Sequence, residues 1–68
     1  MAKRNDAAAH VTGRDLKLVR VQAGYGQADV ASRLAVSRRR VSALESALRP
    51  TPAAIKRYLA AIAELGAS

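Results

Sequence analysis

The stretch QADVASRLAVSRRRVSALES, residues 27–46, decides the fold. Its apolar residues recur three and four positions apart on both sides of a break at residues 35–37, as is typical of helices; they are Val30, Ala31, Leu34, Val41 and Leu44. Ser37 is a good N-cap for the second helix. Helices joined by so short a turn must cross steeply, and Ala31 supplies the small side chain that such a crossing requires.

Outward from this stretch, the pattern predicts a helix on each side. The first should run over about residues 13–23, from a weak capping box at Thr12 and Asp15 to Gly24 as a left-handed terminator. Its periodic face comprises Leu16, Val19, Arg20 and Ala23. Thr51 and Pro52 mark the start of the last helix, and Gly66 should end it. Its buried stripe should consist of Ile55, Tyr58, Leu59, Ile62 and Leu65.

Length and composition favour one small all-α domain. The chain has 68 residues, with sixteen Ala and no Phe or Trp, and alanine has the highest helix propensity. We therefore predict a compact four-helix domain over residues 12–68, or five helices if a short terminal turn forms. Residues 1–11 should be a flexible basic arm, either frayed or able to follow the phosphates of a partner.

The charge balance favours a polyanionic partner. Twelve Lys and Arg stand against five Asp and Glu, giving a formal net charge of +7, which attracts nucleic acid first and an anionic membrane surface second. No apolar run reaches the ~20 residues of a membrane span, and cysteine is absent. We expect a cytoplasmic protein without catalytic activity, metal, cofactor or small-molecule ligand.

The helix that begins after Ser37 has two contrasting faces. At 100° per residue, Val41, Leu44, Glu45 and Leu48 should point inward. The opposite face then carries Arg39, Ser42, Ala43 and Ser46, with Arg38 and Arg40 on its flanks. Small side chains along the outer face, following a basic N-terminal end, would let this helix enter the major groove of a nucleic-acid duplex, which is about 12 Å wide.

The stretch from Gln27 to Ser46 closely resembles the helix-turn-helix family of phage and bacterial Cro and repressor proteins (XRE-like), and the resemblance extends over Leu16–Gly66. It implies a lambda-repressor-like fold. Two positions depart from the family pattern. Ala35 replaces the usual glycine of the turn, with strain of roughly 1 kcal/mol. Gly26 replaces the usual capping side chain before the second helix.

The resemblance also implies roles for individual residues. Base contacts fall on Arg38, Arg39, Ser42 and Ala43. Phosphate contacts fall on Gln27, Ser37, Arg40 and Arg49. Arg20 and Glu45 should form a buried ion pair that fixes the angle between the first and third helices. Arg33, Lys56 and Arg57 are expected to be solvated charges.

The function that this resemblance implies is sequence-specific transcriptional regulation of Cro or repressor type, by occlusion of a promoter. The partner would be double-stranded operator DNA, bound by a homodimer or by monomers that pair only on DNA. Three alternatives remain open: an autoregulatory antitoxin, a protein-binding adaptor that has kept only the fold, and a peripheral membrane binder.

Overall fold

The computed structural model describes residues 11–67. These residues form four helices and no strand, in the order α1 (Gly13–Ala23), α2 (Gln27–Leu34), α3 (Arg38–Ser46) and α4 (Pro52–Ala67). The all-α, four-helix prediction is confirmed, and α2 and α3 are the predicted helix pair. Helices α1 and α2 each pack against both α3 and α4. No helix in this part of the chain is long and apolar enough to cross a bilayer.

The core lies where the four helices meet. Its buried residues come from every helix: Leu16, Val30, Ala31, Val41, Tyr58, Ala61 and Ile62. Seven partly buried side chains surround them: Val11, Tyr25, Leu34, Val36, Leu44, Ile55 and Leu65. Val11, the last residue of the predicted arm, thus packs against the core. The remainder of that arm, residues 1–10, falls outside the described residues.

The helix boundaries follow local capping chemistry. The Oγ1 of Thr12 accepts the Asp15 N–H at 3.2 Å, and the Asp15 carboxylate accepts the Thr12 N–H at 2.9 Å, which completes the predicted capping box. Gly24 ends α1 with φ 87°, in the left-handed region. Thr51 caps α4 by accepting the Ala54 N–H at 3.1 Å. These starts and stops were all readable from residue type.

The turn between α2 and α3 contains a backbone conformation that alanine rarely adopts. Ala35 has φ 58° and ψ 42° and is the one non-glycine residue with positive φ in the described range. Next to it, the Val36 N–H donates to the Ala31 carbonyl oxygen at 3.0 Å and closes the turn. The predicted left-handed alanine is therefore present.

Gly13 allows the start of α1 to touch the end of α3. Its N–H donates to the carbonyl oxygen of Ala47 at 2.8 Å. A Cβ at this position would lie 2.6 Å from the carbonyl carbon of Glu45. No side chain fits there, so glycine sets how closely the first helix approaches the third.

The prediction that Leu48 points inward is wrong, because its side chain is 83% exposed. Helix α3 ends at Ser46, and Ala47 is extended, with φ −74° and ψ 134°. The helical period therefore stops before it reaches Leu48.

Other apolar positions lie at the edges of their stripes. The sequence pattern placed Leu59 in the buried stripe of α4 and Val19 and Ala23 on the periodic face of α1. In the structure Val19 and Leu59 are each 39% exposed and Ala23 is also exposed, so none of the three belongs to the buried core. Gly66 does not end α4, which continues to Ala67, because Gly66 keeps negative φ.

Candidate nucleic-acid interface

The N-terminal end of α3 concentrates positive charge where it does not favour the helix. Ser37 caps α3, its Oγ accepting the Arg40 N–H at 3.1 Å. The first turn then carries Arg38, Arg39 and Arg40 and no acidic residue. Cations near a helix N-terminus oppose the helix dipole, which favours anions there. Helix stability therefore does not explain this cluster, whereas an anionic ligand would.

The structure places the four predicted base-contact residues on the surface of α3. All of them are exposed: Arg38, Arg39, Ser42 and Ala43. On the opposite side, Val41 and Glu45 are buried and Leu44 is half-buried. The helix thus anchors one face in the core and presents a basic N-terminal end followed by small side chains.

No carboxylate in the described residues neutralises this surface. Asp15 and Asp29 cap α1 and α2, the latter accepting the Gly26 N–H at 2.8 Å. Glu45 binds Arg20, and Oε1 of Glu64 lies 2.6 Å from Nε of Arg33. Every acidic side chain of the described residues is thus bound to another group. No carboxylate in this part of the chain therefore offsets the positive electrostatic potential of the α3 arginines.

The predicted phosphate contacts occupy three different environments. Arg40 and Arg49 are exposed, Arg49 in the loop between α3 and α4. The hydroxyl of Ser37 is engaged in capping, although a hydroxyl retains a donor hydrogen while it accepts. Gln27 is half-buried, and its Nε2 donates to Oε1 of Glu45 at 2.9 Å. The second N–H of the Gln27 side-chain amide could donate a hydrogen bond to a phosphate.

Arg20 and Glu45 form the buried pair that the resemblance implied. Nε of Arg20 donates to Oε2 at 2.7 Å and Nη2 donates to Oε1 at 3.1 Å. Arg20 and Glu45 are only 7% and 8% exposed. The third donor, Nη1 of Arg20, binds the carbonyl oxygen of Tyr25 at 2.9 Å, in the turn just before α2.

Glu45 also binds two partners that sequence reasoning missed. Tyr58 donates its hydroxyl to Oε2 at 2.5 Å, and Gln27 donates to Oε1. One carboxylate on α3 therefore joins α1, α2 and α4. A signal for the first bond existed, because a buried tyrosine hydroxyl needs a partner, and Glu45 was the one acid placed on an inner face.

Electrostatics around Glu45 keep the carboxylate ionised. Burial alone would raise its pKa, but the hydrogen bonds from Arg20, Tyr58 and Gln27 and the charge of Arg20 outweigh burial, so the pKa is lowered. The hydrogen bond to Glu45, set against burial, raises the pKa of Arg20. The carboxylate of Glu45 is thus favoured as an anion, and its hydrogen bond from Gln27 ties the N-terminus of α2 to α3.

The described residues hold no group of His, Cys, Asp and Glu that could bind a metal ion. Their distinctive surface is the basic face of α3, next to the first turn of α2.

Comparison with known proteins agrees with this architecture. A family model described as a helix-turn-helix domain matches residues 12–67, from the capping residue of α1 to the end of α4. No curated protein and no solved structure matches significantly. Because the model spans most of the chain, with the DNA-binding type of helix pair inside it, the chain belongs to the helix-turn-helix domain family.

Proposed function

We propose that the protein is a sequence-specific transcriptional regulator of Cro or repressor type, which places α3 in the major groove of its operator. One observation carries this proposal. The exposed face of α3 combines a run of small side chains with three arginines that have no carboxylate partner within residues 11–67. That surface suits the major groove, where guanine presents two hydrogen-bond acceptors, N7 and O6, and phosphates line both sides.

The proposed roles follow from side-chain chemistry and position. Arg38 and Arg39 would bind guanine edges, since a guanidinium can make two parallel hydrogen bonds to guanine. Ser42 would bind a base through its hydroxyl, and Ala43 would contact a thymine methyl group. The proposed phosphate contacts are Gln27, Ser37, Arg40 and Arg49; they would set orientation, not sequence preference.

The consequence for transcription would be occlusion, because a protein bound across a promoter excludes polymerase. Binding as a pair on half-sites one helical turn apart would match the geometry of helix-turn-helix proteins. In this proposal the binding domain begins at Val11, which packs against the core, and extends to residue 68, while residues 1–10 form a basic arm. The role is one of binding, without catalysis.

Selection of bound duplexes from a random oligonucleotide pool, followed by a salt series, tests the proposal. The expected result is a consensus with two related half-sites and an affinity that falls steeply with salt. Binding that shows no sequence preference at any salt concentration would contradict regulation of this kind. A protein that instead captured one specific polypeptide and no DNA would be an adaptor, and one that bound both DNA and a specific polypeptide would be an autoregulatory antitoxin.

A further inference from the structure

A groove lies between α3 and α4, the two helices that are held together mainly through α1 and α2. It encloses a cavity of about 90 Å³. Its apolar lining comes from three helices and the α2–α3 turn: Leu34, Val36, Leu44 and Ala54. Two arginines complete the lining, Arg40 from α3 and Arg57 from α4. Arg40, a proposed phosphate contact, thus lines the same groove as Arg57, which the sequence analysis expected to be a solvated charge.

Neither arginine has an anionic partner within the described residues. Both are exposed. Glu64 lines an adjoining hollow together with Arg57, but Glu64 is bound to Arg33 at 2.6 Å. The carboxylate of Glu45, on the buried side of α3, is held by Arg20 and Tyr58. The groove therefore carries two uncompensated positive charges over an apolar floor.

We propose that Arg40 and Arg57 form a two-arginine clamp for the DNA backbone, so that α4 extends the interface beyond the helix-turn-helix pair. The inference rests on the proposed function and adds a residue to it. Low-dielectric walls lined by one sign of charge concentrate the field in a cleft. Guanidinium groups also bind phosphate oxygens through paired hydrogen bonds. A phosphate at the mouth of the groove would meet both conditions.

The neighbouring cation provides a matched control. Lys56 adjoins Arg57 on α4 and is also exposed, but it does not line the groove. R57A and K56A remove one exposed charge each from adjacent positions of one helix. If only the total charge matters, the two variants should behave alike. If the clamp exists, R57A should weaken binding and K56A should not.

The experiment measures the affinity of the wild type, R57A and K56A for the selected operator and for a random duplex, over a salt series. Loss of one phosphate contact lowers the salt slope by about 0.9, so the ratio of wild-type to R57A affinity should shrink by about 3.5-fold between about 50 and about 200 mM salt. The loss should be equal on both duplexes, because phosphates carry no base identity. Thermal denaturation should show that R57A remains as stable as K56A.

The double variant R40A/R57A tests whether the two arginines act together. If both arginines hold the same phosphate, the double variant should lose less binding free energy than the sum of the losses of R40A and R57A. Equal binding by R57A and K56A on both duplexes would overturn the clamp. Failure of the proposed function would look different: the wild type itself would lack sequence preference, while the random-duplex comparison would still test the clamp.

Discussion

Tyr58 donates its hydroxyl to Oε2 of Glu45 over 2.5 Å, and the Tyr58 side chain is fully buried. The bond directly connects α4 to the inner face of α3, the helix that carries the basic surface. Burial, the hydrogen bond to Glu45 and the charge of that carboxylate all raise the pKa of Tyr58. The hydroxyl therefore stays protonated and remains a donor across the physiological pH range.

Replacing this hydroxyl should destabilise the domain without creating a cavity. Y58F keeps the ring but leaves Glu45 with one donor fewer. A hydrogen bond to a charged group contributes about 1.5–3 kcal/mol, so the free energy of unfolding should fall by that amount. Urea denaturation measures it. Y25F is the matched control, because Tyr25 is half-buried and its hydroxyl makes no hydrogen bond to the described residues. Equal losses in both variants would mean that the bond to Glu45 contributes nothing specific.

Acid should unfold the protein partly through Glu45. Its pKa is lowered in the folded state from an ordinary value of 4.5, despite burial, by its bonds to Arg20, Tyr58 and Gln27. The unfolded chain therefore takes up this proton first as the pH falls. The stabilisation is fully present above the ordinary pKa and is lost as the pH falls through the folded value.

Urea denaturation between about pH 3 and about pH 7 should show this loss in the wild type. E45Q should lack the Glu45 part of the slope, and at neutral pH it should be about 3–5 kcal/mol less stable, because Arg20 is left buried and unpaired. Y58F should fold and show a shallower slope, since one pKa-lowering bond is gone. A Y58F variant with the full acid slope would contradict the assignment to Glu45.

Where local chemistry decides the structure, the sequence was enough. The boundary signals at Thr12, Gly24, Ser37 and Thr51 depend on neighbours within four residues, and each occurs where it was predicted. Periodicity likewise identified the buried positions of α2 and the inner face of α3 as far as Glu45. At Leu48 the same rule failed, because the helical period was extended beyond Ser46, where α3 ends.

What the sequence lacked was the relation between distant elements. Tyr58 lies thirteen residues from Glu45 and Gln27 eighteen, and only the packed helices bring them together. The same is true of Arg57, whose neighbour in the groove is Arg40. The Arg20–Glu45 pair could be anticipated only through the family resemblance. Direct contact of α3 with DNA bases stays a prediction.

The left-handed turn offers a test of strain. Ala35 has φ 58°, and an L-residue in this region costs roughly 1–2 kcal/mol, a cost that glycine escapes. Because glycine also loses more entropy on folding, A35G should stabilise the domain by up to about 1 kcal/mol. A60G is the control: Ala60 is exposed within α4, where glycine should destabilise by about 0.5–1 kcal/mol. Thermal denaturation should move the two midpoints in opposite directions, and a destabilised A35G would show that the turn carries no such strain.

Arg39 and Arg40 have different proposed roles, so their substitution should reduce DNA binding in two different ways. Arg39 lies on the face opposite the buried Val41 and Glu45, whereas Arg40 lines the groove next to α4. R39A should therefore remove discrimination of about 1–3 kcal/mol at one or two base pairs. R40A should instead weaken every site alike and lower the salt slope by about 0.9.

Affinities on a panel of single-base variants of the selected operator separate the two effects. Both arginines are exposed, so neither substitution should change the unfolding midpoint by more than a surface change does. For R39A the spread of affinities across the panel should collapse at the contacted positions and persist elsewhere. For R40A the whole panel should shift together with its spread intact. If both variants shifted every site equally, Arg39 would be a phosphate ligand, and base recognition would have to come from Arg38 and the small residues behind it.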